Sequence, residues 1–173
     1  SSLDRARGFF AHQAWRQACE HFAAAAGEAR LGAEDHERFA LAAYLVGDDA
    51  GSEREWAAAQ RSAVDAGDID GAARCCVLLA LTLLLRGQTA GAAGWLARAD
   101  RLVEEAVDLG VAAGYVLVPR VVGALHGGDP EGARDLAVQV TAIGRTLADV
   151  DLSALGGLGH GQALISLGEE GDG

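Results

Sequence analysis

A chain of 173 residues carrying a net charge of −11, with fourteen arginines and no lysine, has none of the clustered positive surface that phosphate binding by counterion release requires, which excludes a nucleic-acid-binding fragment. Half of its residues are apolar, enough for a sizeable core. The longest apolar run, residues 75–85, is nevertheless too short to span a bilayer and contains Thr82, and Asp4, Arg5 and Arg7 precede only Phe9-Phe10, which is no signal peptide.

No window alternates with period two over a strand's length, so an all-α chain is expected. Residues 2–27 predict a first helix pair broken at His12-Gln13, with Phe9, Phe10, Trp15 and Phe22 as its large groups. A linker over 27–33 follows. Glu34-Asp35 then place acid where the dipole of the next helix, over 36–46, favours it. Its partner spans 51–66, carries Trp56 and stops at Gly67-Asp68.

The central hairpin lies within 68–105. Its first helix, over 70–86, is apolar on nearly every side and must be covered by neighbours. Gly87-Gln88-Thr89 breaks it, with Thr89 expected as the N-cap of the second helix. After a linker over 108–114, a helix over 115–125 contains Pro119, which removes a hydrogen bond and predicts a kink or a restart. Pro130 suits the first turn before the helix over 131–147. A last helix is expected over 152–167, and 168–173 read as the turn into a partner that the chain does not complete.

These pairs repeat. A small residue one turn into each second helix falls at Ala18, Ser52, Ala92, Ala133 and Gly173, in steps of 34, 40, 41 and 40 residues. Four places on stand Phe22, Trp56 and Leu96, with Ala137 in the fourth pair and its large residue at Leu136. Three further on come Ala25, Ala59, Ala99 and Val140. Twelve places before each anchor stand Ala6, Ala40, Ala80, Val121 and Gly161, small enough in four cases for two helix axes to approach closely. A small-large-small second helix repeated in this way is the tetratricopeptide pattern, whose usual period is ~34 residues. The expectation is one domain over 1–173: a tetratricopeptide-like α-solenoid of antiparallel helix pairs, about four and a half repeats long and truncated in the fifth.

The stretches 67–105, 114–125 and 128–169 resemble the tetratricopeptide region of large LuxR-type transcriptional regulators common in actinobacteria, and the resemblance covers about Leu3 to Gly168. It implies a sensing or scaffolding module, with any helix-turn-helix outside this chain. Because the repeat motifs are packing motifs, it transfers no catalytic residue.

The residues themselves show no catalytic constellation, metal site or cofactor motif. The glycines from Gly156 to Gly161 lack the strand or the Gly-Lys-Ser/Thr that a phosphate-cradling loop needs, so close helix packing at Gly161 is expected. The histidines His12, His21, His36, His126 and His160 form no metal-binding pair within a turn. Adjacent acids such as Glu104-Glu105 and Glu169-Glu170 read as solvated surface. Of the three cysteines, Cys75 and Cys76 are adjacent, which makes no disulfide framework and points to buried small side chains in a reducing cytoplasm.

The remaining candidates line the face presented by the first helices: Glu37, Tyr44, Arg74, Tyr115 and Gln162. Arg74 could pair with a carboxylate or phosphate on a partner, and Tyr115 offers a flat face with a polar tip. Two readings stay open. One is a protein or peptide partner in the concave groove; the other is a small effector lodged among the helices, with Tyr44, Tyr115 and the tryptophans as walls. Leu155, Leu158 and Leu164, left uncovered in the last helix, predict self-association, with a homodimer as the simplest closed assembly.

Overall fold

In a computed structural model that describes residues 1–168, the chain forms α1 Ser2–Ala11, α2 Trp15–Glu28, α3 Ala33–Leu45, α4 Asp49–Asp65, α5 Ile69–Leu85, α6 Thr89–Glu105, α7 Ala112–Tyr115, α8 Val118–His126, α9 Pro130–Thr146 and α10 Val150–Leu167. No strand occurs among the described residues. Neighbouring helices pack in pairs, α1 on α2, α3 on α4, α5 on α6, α8 on α9 and α9 on α10, while α2 meets α3 and α4 meets α5. The anchor Gly173 and the pair Glu169-Glu170 lie outside the described residues.

One turn is used again and again. A helix ends, a residue adopts a left-handed backbone, and the next residue caps the following helix. The left-handed positions are Gly47, Gly67, Gly87 and Gly128, joined by Ala148 at φ 55° and Gln13 at φ 59°, which lack glycine's freedom there. The residue after each sends its N–H back to a carbonyl one helical turn earlier, as Asp48 does to Ala43, Asp68 to Ala63 and Asp149 to Gly144. This is the Schellman closure of a helix end. The carboxylates of Asp48, Asp68, Asp129 and Asp149 then accept from the backbone amides of Gly51, Gly71, Gly132 and Leu152 at 2.8–2.9 Å. Thr89, expected as a cap, instead opens α6 inside the helix. Gln88 stands at the cap position and makes no side-chain bond there.

Spacing alone located the buried positions of the second helices. Ala18, Phe22, Ser52, Ala59, Ala92, Ala99, Ala133 and Val140 are all buried, as are Ala6, Ala40, Ala80 and Val121 in the first helices. Leu96 departs, being only half-buried, because among the described residues α5 is the only helix that α6 packs against extensively. Gly161 departs as well: a methyl group added there would meet nothing. The close approach in α10 is made by Gly156 and Gly159, against Thr141 of α9 and Val121 of α8.

The apolar interior runs as three clusters in series. Ala6, Phe22 and Phe39 centre the first, Trp56, Leu79 and Leu83 the second, and Val77, Tyr115 and Leu152 the third. Pro119 resolves its segment as a restart: the expected helix over 115–125 is two pieces, α7 and α8, with the proline in the first turn of α8. The expected linker thus contains most of α7, which Asp70 secures. Its carboxylate accepts from the amides of Gly110, Val111 and Ala112 at 3.0, 3.2 and 2.8 Å. Charge-assisted bonds of this kind contribute ~1.5–3 kcal/mol each at most. Asp70→Ala is expected to cost about 2–3 kcal/mol and to speed amide exchange at 110–112 ahead of the helices, which hydrogen exchange would show.

A second clasp joins α1 to α3. Arg7 donates from Nε and Nη2 to the two oxygens of Asp35, both at 2.8 Å, and Asp35 is only 4% exposed. The Arg7 guanidinium holds the Asp35 carboxyl below the usual carboxylate range, against the opposing effect of burial. A depressed carboxyl contributes stability that is fully present above its unfolded value of about 3.9 and is lost as pH falls through its lower folded value. Denaturation midpoints for the wild type should therefore fall across that acid window. Asp35→Asn should flatten the fall.

Candidate functional site

Glu37, Arg74 and Tyr115, three of the five candidates, line one groove of about 680 Å³. Its walls come from α1 through Phe10, α3 through Leu41, α5 through Leu78, and α10 through Leu155 and Leu158, with Trp56 of α4 reaching in between. The first helices of successive pairs supply most of the lining. On α3 the lining positions are Glu34, Glu37, Arg38 and Leu41, the three- and four-residue spacing of one helical face.

Tyr44 and Gln162 stay outside. Each continues a lining stripe one turn too far, Tyr44 beyond Leu41 and Gln162 beyond Leu158. Both are exposed. Counting from the turns found the correct helix face but not the end of the helix at which the groove closes. Phe10, Leu78 and Leu158 were not singled out as lining, because an apolar residue in a groove and one in a core carry the same signal.

The polar groups of the groove are held by one another. Arg74 Nη2 donates to Glu37 Oε1 at 2.6 Å, and the Cys75 thiol donates to the same oxygen at 3.5 Å. Burial pulls the Arg74 guanidinium down, but the Glu37 carboxylate outweighs it and keeps Arg74 above its usual value. Arg38 bonds Glu34 and also reaches Asp35 at 3.3 Å. The role expected of Arg74, pairing with an anion on a partner, is therefore already filled within the chain.

Tyr115 is 1% exposed, and its hydroxyl donates to Asp149 Oδ1 at 3.3 Å. Burial first, and then the charges of Asp149 and Asp151, push its phenol well above the usual range. It serves as a wall with its polar tip tied to the start of α10. Asp151, on the groove rim, has no ion-pair partner among the described residues.

Cys75 and Cys76 are fully buried and unpaired. Burial pushes the Cys76 thiol up to about 11, and burial beside Glu37 pushes Cys75 higher still, so neither is a thiolate nucleophile near neutral pH. His36 Nδ1 lies 2.8 Å from the buried Glu55 carboxylate, and His21 stacks on Phe9 with ring centroids 5.1 Å apart. Among the described residues no three His, Cys, Asp or Glu side chains are grouped to hold a metal ion. A second cavity of about 160 Å³, lined by Val77, Leu96 and Pro119 with the Asp100–Arg120 pair at its rim, is below the ~300 Å³ at which ligand pockets begin.

No helix among the described residues is long and apolar enough to cross a membrane. No protein-family model, curated protein or solved structure matches this chain.

Proposed function

We propose that the chain is a non-enzymatic effector-binding module, a tetratricopeptide-like solenoid of the kind found in LuxR-type regulators, whose concave groove receives the effector. The observation that carries this reading is the convergence of α1, α3, α5, α7 and α10 on one apolar groove of about 680 Å³, inside the ~300–1,000 Å³ typical of small-ligand sites. A volume in this range favours a small effector as the occupant. The DNA-reading part belongs outside these residues, since Arg7, Arg30, Arg38, Arg74 and Arg86 are already held by carboxylates and the net charge is −11. The proposed setting is a cytoplasmic regulator.

The reading is tested by filling the groove. Leu158 is 63% exposed, so Leu158→Trp should fold normally while occupying the site. Compounds that raise the melting temperature of the wild type in a thermal-shift screen should lose their effect on the variant. Stabilisation that persists undiminished in Leu158→Trp overturns the assignment of the groove. The regulator setting is tested by the reading frame beyond Gly173, where a helix-turn-helix is expected and its absence would count against that part.

A further inference from the structure

We infer that the groove is built for a small organic cation with an apolar body. The inference rests on the effector-binding reading and adds the chemistry of the ligand. Arg38 and Arg74 are the positive groups lining the groove, and both are engaged: Arg38 with Glu34 and Asp35, Arg74 with Glu37. An anionic ligand would meet guanidiniums already neutralised by carboxylates that are covalently part of the chain, and would have to share or displace them, one of them, Glu37, with its side chain only 15% exposed. Displacing it would strand a desolvated charge, which is costly.

The acidic side of the groove is not saturated. Both hydrogen bonds to Glu37 fall on Oε1, and Oε2 takes none from a described residue. Asp151 stands on the same groove, exposed and without a cation. The lining therefore carries three carboxylates, Glu34, Glu37 and Asp151, against two guanidiniums, an excess of one negative charge. The same lining includes Trp56, Leu78, Leu155 and Leu158. Apolar surface of this kind takes the body of the ligand, and an aromatic side chain in the lining together with carboxylates suits an ammonium group. The chain's charge of −11 also raises the local concentration of cations.

A matched series tests the charge separately from the apolar contact: decylammonium, decanol and decanoate, each below its critical micelle concentration, titrated calorimetrically into the whole chain. Decylammonium should bind about tenfold tighter than decanol, a difference near 1.4 kcal/mol, and decanoate should bind more weakly than decanol. Asp151→Asn, at an exposed position, should cut the ammonium preference at least about threefold and leave decanol unchanged. Glu37→Gln should do the same if circular dichroism shows it folded. Decanoate binding as tightly as decylammonium, or a preference unaltered in Asp151→Asn, overturns the inference. The two failures separate. Equal binding of all three probes that is lost in Leu158→Trp keeps the groove and removes the cation, whereas ammonium binding that survives Leu158→Trp removes both.

Discussion

Trp56→Ala is expected to lower the stability of the chain by about 3–5 kcal/mol, the usual cost of emptying a large aromatic site. Trp56 is 8% exposed, packs in the cluster with Cys75, Leu79 and Leu83, and also reaches the groove. Its loss removes a wall of the site together with part of the core. Equilibrium denaturation followed by circular dichroism reads the first effect, and calorimetric titration of decylammonium the second. An unchanged midpoint would show that α4 is not seated as described. Leu96→Ala, in the corresponding place of the next pair, should cost only about 1 kcal/mol, because a half-buried side chain leaves a smaller cavity.

The second large effect is steric. A methyl group on Gly144 would stand 2.6 Å from the Ser153 backbone nitrogen, and one on Gly156 would stand 2.6 Å from that of Thr141. These are backbone atoms of the facing helix and cannot turn aside. Thr141 and Ser153 help the approach by donating their hydroxyls to carbonyls of their own chain, Ala137 and Asp149, at 3.0 and 2.8 Å. Overpacking of this type costs ~1–3 kcal/mol per site, so Gly144→Ala with Gly156→Ala should lose about 2–6 kcal/mol together. The loss should be local. Proteolysis should cut within α10 before the rest, and decylammonium binding should weaken, because Leu155 and Leu158 move with that helix. A double variant as stable as the wild type would mean that α9 and α10 do not approach closely.

How much of this was legible in the sequence follows from what each signal reports. Burial in the second helices was readable because Ala18, Ala92 and Ala133 can satisfy a close crossing only at one rotation of the helix, so spacing fixes the face. Gly161 misled for a related reason: α10 offers several glycines, and which of them meets a neighbour depends on helix rotation, to which composition is blind. The groove was half legible. Glu37, Arg74 and Tyr115 stand out as polar groups on a predicted inner face, but the partner that Arg74 takes is 37 residues away in the chain, beyond the reach of local spacing. The Asp70 clasp, spanning 40–42 residues, was invisible for the same reason.

The recurrent turn has a consequence for how the chain can change length. α4, α5 and α6 begin at Asp49, Ile69 and Thr89, and α9 and α10 at Pro130 and Val150, so that successive helices are offset by 20 residues. Because the same turn follows helices of either direction, the interchangeable unit is a single helix. Excising 49–68 would join Asp48 to Ile69 and keep a well-formed cap, yet every later helix would run the opposite way and present its outer face to the groove. Excising 49–88 would join Asp48 to Thr89 and keep that orientation. Gains and losses of sequence are thus governed by parity: an even number of helices preserves the side that faces the groove, and an odd number inverts it.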